Sequence, residues 1–297
     1  MPAGTTLSGR DPTQPAWRDA PDQAWQLIRM QTYAAQIDRM DRGIARIVAA
    51  LGETDALTNT LFIFLSDNGA SAEGLPIADP ETFRHRRSIV PPATWTGAAL
   101  RIGNSPEIEP GPDDTYASYG RAWANLSNTP FRFYKRWVHE GGISTPLIVH
   151  WPGGGIQRSI LHAPFQLTDI VPTVLEATDV AYPAHYPGRE PLPLEGRSML
   201  PALRGGAVEQ RTLYWEHLGN AAIQRGRWKL VREHPLPWEL YDLDVDRAEL
   251  HDQASKRPDI VAELTEAWAA WANRVGVIPW ERIVEIYRRD GKGDPTG

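Results

Sequence analysis

The feature that most restricts how this chain can fold is Leu61-Phe62-Ile63-Phe64-Leu65, an unbroken apolar run that stops at Ser66-Asp67-Asn68-Gly69. A run this short, rich in Ile and Phe and closed by turn formers, predicts a strand buried on both faces. Ligands of open α/β sheets gather just beyond the carboxyl ends of such strands, which is where Asp67 and Asn68 fall. A carboxylate beside an amide carbonyl offers hard oxygen donors, suited to Ca²⁺ or Mg²⁺. The same residues also favour a plain turn that ends the strand, and locally that simpler reading is the better one.

The segment leading into the strand is helical by pattern. Leu27, Met30, Ala34, Ile37, Met40, Ile44, Ile47, Val48 and Leu51 keep three/four spacing from a start near Pro21 to a stop at Gly52. Thr145 to Trp151 predicts a second buried strand, and Asp169 to Ala177 a short helix. Between the strands, Ala70 to Gly142 shows no confident regular element, a length usually found in functional covers or disordered segments. Its Trp and Phe residues predict a largely ordered one. After the Pro-rich Thr178–Glu195 boundary come four short antiparallel strands, at 211–216, 221–224, 228–232 and 238–242, and a helix from Pro258 to Val275. The expected domains are residues 1–180, an α/β part, and 181–297, a small α+β part.

Bulk properties narrow the function. The net charge of −6, without a basic stripe, excludes a nucleic-acid partner. No apolar run approaches a membrane span, so no membrane is expected, and the chain is expected to be soluble, cytoplasmic or periplasmic. The absence of Cys removes thiolate metal sites and Cys nucleophiles.

Taken together, Ser66-Asp67-Asn68-Gly69, the Lys135 to Gly142 block with its Glu140-Gly141-Gly142, Thr145 to Val149, Asp169 to Thr173, Glu195 to Pro201, Arg227 to Val231 and Trp238 to Leu243 resemble the sulfatases of the alkaline-phosphatase superfamily, above all bacterial arylsulfatases. The resemblance runs from about Trp25 to Trp280 and covers the C-terminal half to two-thirds of such an enzyme. It implies an α/β fold with part of a mixed, largely parallel sheet flanked by helices, then a small antiparallel sheet with a C-terminal helix. It also implies sulfuric ester hydrolysis of a small-molecule sulfate ester. Asp67 and Asn68 match a pair of metal ligands for a divalent ion, usually Ca²⁺, and Lys135, five residues before Glu140, matches the lysine that contacts the sulfate group. A cation and a lysine suit this chemistry because charge grows on the sulfuryl and leaving oxygens. Lys135 taken alone would be a solvated loop lysine. His139 reads as a packed or surface histidine.

The departures from the family matter as much. Its formylglycine nucleophile arises from Cys or Ser in Cys/Ser-x-Pro-x-Arg, which this chain lacks; Ser144-Thr145-Pro146 is a coincidental partial match. The family's first metal-ligating Asp-Asp pair is also missing, since Asp113-Asp114 lies in a Pro/Gly loop. The expectation is a segment holding part of the metal and sulfate site, with the family's N-terminal half as a candidate partner. The alternatives are a phosphonate or phosphodiester hydrolase of the same superfamily, or a non-catalytic remnant serving as a binding or structural subunit.

Overall fold

The computed structural model describes residues 6–75, 91 and 93–290. Helix α1 spans Gln23–Glu53, and strand β1, Phe62–Leu65, follows it. Next come β2 (Arg101–Ile102), β3 (Thr115–Tyr116), α2 (Arg121–Ser127), α3 (Glu140–Ile143), β4 (Leu147–His150), α4 (Ile170–Ala177) and α5 (Leu200–Leu203). Strands β5 (Thr212–His217), β6 (Asn220–Arg225), β7 (Trp228–Arg232) and β8 (Glu239–Asp242) then lead to α6 (Pro258–Val275) and α7 (Trp280–Arg289). The chain divides into two compact units, one of residues 1–40, 68–145 and 211–297, the other of 41–67 and 146–210.

In the first unit β5 to β8 form a four-stranded antiparallel meander in sequence order. Side chains alternate across a strand, so each face has its own core. Ile223, Leu230 and Leu240 turn to one face and pack with Leu264, Ile260, Val261 and Trp268 of α6. Ala222, Val231 and Tyr241 turn to the other and pack with Val138 and Ile143 of the segment before β4. Coverage on both faces explains why the middle strands carry consecutive buried residues.

The first half of α1 belongs to the same unit and is held by tryptophans. Trp25 Nε1 donates to the Ile108 carbonyl at 3.0 Å, and Trp123 Nε1 donates to that of Gln26 at 2.9 Å. Much of the apolar stripe stays open, with Leu27 at 45 %, Ile37 at 43 % and Ile47 at 57 % exposure.

In the second unit β1 pairs with β4 in an antiparallel two-stranded sheet, Phe62 opposite His150 and Leu65 opposite Leu147. The expected sheet is part of a mixed, largely parallel one; among the described residues this pair is antiparallel and the parallel pair is β2–β3, two residues on each strand. The cause is local. The Ser66 N–H bonds to the Pro146 carbonyl and the Gly69 N–H to the Gly142 carbonyl, so the chain leaves β1 and enters β4 at the same end. The expected burial on both faces is corrected, since Phe64, Leu147 and Ile148 are exposed, Ile148 by 59 %. Among the described residues these two strands have no flanking strands to share coverage. Asp169 anchors the rest of this unit: its carboxylate accepts the Gln166 and Arg197 N–H groups at 2.8 and 2.9 Å. Thr173 Oγ1 accepts the Met199 N–H at 2.9 Å, seating α5 against α4.

No helix among the described residues is long and apolar enough to cross a membrane.

Candidate functional site

Asp67 is exposed at the end of β1, and Asn68 is half-buried in the bend that follows. Asn68 Nδ2 donates to the Gly69 carbonyl at 2.9 Å. From Gly69 onward the backbone is fixed to the Arg132–Gly142 segment. The Gly69 N–H reaches the Gly142 carbonyl at 2.9 Å, and the Lys135 N–H reaches the Ala70 carbonyl at 3.0 Å. The lysine segment itself packs on glycine: a β-carbon on Gly142 would lie 1.9 Å from the Trp137 carbonyl oxygen.

Asn128 ties these pieces together. Its Oδ1 accepts the Ala70 N–H at 3.0 Å, while Nδ2 donates to the Phe133 carbonyl at 3.0 Å and to that of Gly141 at 2.8 Å. Lys135 thus follows a segment clamped by one amide. It also lies between two non-glycine residues in left-handed conformations, Phe133 (φ 65°) and Arg136 (φ 98°). Such geometry costs about 1–3 kcal/mol per residue and persists where the surroundings over-determine it. Here the Phe133 and Trp137 rings stack at 5.2 Å, and Asn220 Nδ2 donates to the Arg136 carbonyl at 3.0 Å. The Lys135 ammonium meets Glu73 at 3.1 Å and is about one-third exposed, so the amine is accessible. His217 lies in the same field: burial pushes its imidazole down, Lys135 and Arg136 push the same way, and Glu216 opposes them.

Beneath this segment is a buried ionic cluster. Lys229, an inward residue of β7, bonds Glu140 at 2.9 Å and Glu249 at 2.8 Å, with no exposure of its own. The Glu140 N–H donates to Glu249 Oε2 at 2.8 Å, and Arg247 reaches Glu140 Oε2 at 3.1 Å. Burial would raise the Glu140 carboxyl, but Lys229 and Arg247 outweigh it and hold it below the ordinary range. Burial likewise opposes the Lys229 charge, and the two carboxylates overcome it and raise the amine. Beside the cluster, Glu239 accepts from the Tyr241 hydroxyl at 2.8 Å and lies 3.2 Å from His139 Nε2 and 3.4 Å from Arg132. Burial works against the Glu239 charge, yet His139, Arg132 and Tyr241 bring its carboxyl down to about 2. His139 itself is fully buried, edge-on to Phe133, as a packed residue. Glu140, the landmark for Lys135 in the sequence, is therefore a structural anchor.

The remaining candidates have other partners. Asp114 pairs bidentately with Arg101 at 2.8 and 3.0 Å. Ser144 Oγ accepts from Arg247 at 2.9 Å. Asp67 and Asn68 suit a hard cation in donor type but not in number, because Ca²⁺ takes about 6–8 oxygen ligands. Among the described residues no cluster of three or more His, Cys, Asp or Glu forms a metal-binding group.

Comparison with known proteins identifies the family. A family model described as Sulfatase matches residues 6–180, and one described as N-sulphoglucosamine sulphohydrolase, C-terminal, matches 131–272. An uncharacterized sulfatase of Schizosaccharomyces pombe is 32 % identical over 262 residues, 84 % of this chain and 44 % of that protein. An arylsulfatase of Klebsiella aerogenes is 31 % identical over 172 residues, 57 % of this chain and 34 % of that one. Among solved structures, a protein of a glycosaminoglycan-metabolism locus in Bacteroides thetaiotaomicron superposes with a TM-score of 0.52 at 21 % identity, covering 79 % of this chain and 43 % of that one. At that identity the likeness concerns the α/β fold alone. The chain thus spans less than half the length of these relatives.

Proposed function

The chain belongs to the sulfatase family, and from that premise we propose that it forms the Lys135-bearing part of a sulfuric ester hydrolase acting on small-molecule sulfate esters. The observation that carries this reading is the pair of main-chain bonds, Gly69 to Gly142 and Ala70 to Lys135, joining the turn after β1 to the lysine segment. The Lys135 ammonium donates a hydrogen bond to a non-bridging sulfuryl oxygen, where negative charge grows as a nucleophile adds to sulfur, before the S–O bond breaks and the leaving oxygen takes its electron pair. The Asn128 clamp and the left-handed flanks of Lys135 hold it in place in advance of that charge. Asp67 and Asn68 contribute two oxygen donors toward a divalent cation, Ca²⁺ by residue type, and a bound cation would polarise sulfate oxygens. Too few donors are present for any step to be assigned to it here. No residue of this sequence supplies the Cys/Ser-x-Pro-x-Arg nucleophile, so attack on sulfur must come from polypeptide carrying that motif. Residues 1–180 then act as the catalytic part and 181–297 as a small subdomain whose strands β6 to β8 back the lysine segment, with the family's N-terminal half as partner.

The test uses 4-nitrophenyl sulfate and bis(4-nitrophenyl) phosphate side by side. The chain alone should hydrolyse neither above the uncatalysed rate. Co-expression with a sulfatase segment carrying Cys/Ser-x-Pro-x-Arg and the Asp-Asp pair should restore cleavage of the sulfate ester, and Lys135→Ala should lower the restored rate by about 100-fold or more. A preference for the diester, or restoration indifferent to Lys135, overturns the reading.

A further inference from the structure

Next to Glu73, the partner of Lys135, lies a cleft of about 180 Å³ between the first half of α1 and residues 110–119. Its floor contains Arg29, only 8 % exposed. The guanidinium is held by neutral groups: Nε and Nη2 donate to the Ser118 carbonyl at 2.7 and 2.5 Å, and Nη1 donates to Gln26 Oε1 at 2.8 Å. One face covers the Trp25 ring at 4.4 Å. No carboxylate among the described residues neutralises the charge, and each terminal nitrogen keeps a further N–H beyond these bonds. Burial lowers this guanidinium to about 10, which leaves it charged at neutral pH. A buried cation with no counter-ion among the described residues is costly, and an anion entering the cleft would relieve that cost.

The walls define the rest of the ligand. Tyr33 and Tyr119 stack with ring centroids 4.6 Å apart and both line the cleft, beside the hydroxyls of Thr32 and Ser71. Aromatic surface beside hydroxyl groups suits a sugar ring, apolar on its C–H face and polar at its rim. The volume is below the roughly 300 Å³ at which drug-sized pockets begin, so it admits one ring and not a longer chain. Glu73 closes the end toward Lys135, its charge offset by that lysine at 3.1 Å.

We propose that this cleft is an anion-recognising saccharide subsite, in which Arg29 receives a carboxylate or sulfate group of a sugar lying against Tyr33 and Tyr119, adjoining the ester group at Lys135. The substrate class is then an acidic or multiply sulfated saccharide. This deepens the function proposed above and rests on its assignment of Lys135.

The whole chain is titrated with sodium glucuronate, glucose 6-sulfate and glucose, with binding read by calorimetry or ligand NMR. Both anionic sugars should bind at least about tenfold more tightly than glucose, the factor that one charge-assisted contact is worth. The tighter of the two assigns the Arg29 ligand as carboxylate or sulfate. Arg29→Gln should erase the preference for charge. Gln36→Trp, a change at the exposed rim that leaves the Arg29 bonds intact, should weaken all three. Equal binding of glucose and glucuronate, or glucuronate binding unchanged by Gln36→Trp, overturns the proposal. Glucuronate has no sulfate ester, so its binding is separate from the hydrolysis assay. Glucuronate bound in the cleft without Lys135-dependent hydrolysis removes the sulfatase reading alone; the reverse result removes the subsite alone.

Discussion

Gly69 and Gly141 approach so closely that a β-carbon on Gly69 would lie 1.8 Å from the Gly141 carbonyl oxygen. Backbone stands on both sides of this contact, so no rotamer change can relieve a clash. Gly69→Ala should therefore destabilise the chain by about 2 kcal/mol or more, at the upper end of overpacking costs. Urea unfolding measures this as a lower midpoint at constant slope. Gly43, in α1 with nothing within 4 Å of its would-be β-carbon, is the control. Gly43→Ala should stabilise by roughly 0.5–1 kcal/mol. A Gly69→Ala chain as stable as the parent would refute the close approach.

Lys229 sits between two buried carboxylates, and removing it leaves Glu249 without a counter-charge and Glu140 with Arg247 alone. Lys229→Met should cost about 3–5 kcal/mol, the usual penalty for breaking one side of a buried ion pair. The triple variant Lys229→Met, Glu140→Gln, Glu249→Gln should recover a substantial part, because both buried carboxylates become neutral amides and the remaining cation, Arg247, is half-exposed. Thermal unfolding of the three proteins decides the matter. If the triple variant is less stable than Lys229→Met alone, the cost arises from packing and not from charge.

The periodic elements were legible in the sequence, and contacts between distant residues were not. Helix α1, the four strands β5 to β8 and α6 stand within about two residues of their predicted positions, because an apolar face repeats along each one. Helix α7 was missed: its Trp280–Arg289 sequence sets a short apolar stripe among many charged residues, too brief to stand out as a periodic face. The antiparallel pairing of β1 with β4 depends on bonds made by Gly69 and Pro146, and no local pattern encodes them. The resemblance singled out Lys135 by its spacing to Glu140, but not Asn128, whose three bonds join residues far apart in sequence. Lys229 did leave a trace, a lysine inside the apolar strand Trp228-Lys229-Leu230-Val231. Only a buried counter-charge explains it.

Acid should weaken the fold through Glu239. Its folded-state carboxyl lies at about 2 against an ordinary 4.5, so its stabilising effect is complete above the ordinary value and is lost as pH falls through the folded one. Glu140, also held low, adds to the same limb. Lys229 acts oppositely: its amine is raised, so its contribution is present below 10.5 and is lost at higher alkalinity. Stability measured from pH 7 down to 2 should fall steeply below about 4.5, and Glu239→Gln should flatten that limb. An unchanged acid limb in Glu239→Gln would remove Glu239 from the account.

Asn128→Asp isolates the clamp on Lys135 with almost no change in shape. The wild-type amide donates to the Phe133 and Gly141 carbonyls at 3.0 and 2.8 Å. An ionised carboxylate there can donate to neither and would place negative charge against two carbonyl oxygens. A protonated carboxyl could still serve one of them. The destabilisation relative to wild type should therefore be about 2–3 kcal/mol at pH 7 and smaller at pH 3, below the ordinary Asp value of about 3.9. Because the Lys135 N–H bonds to the Ala70 carbonyl, and Ala70 is itself held by Asn128, amide exchange at Lys135 should quicken in the variant at pH 7. A penalty independent of pH, or Lys135 exchange at the wild-type rate, would show that Asn128 fills space without holding the lysine segment in register.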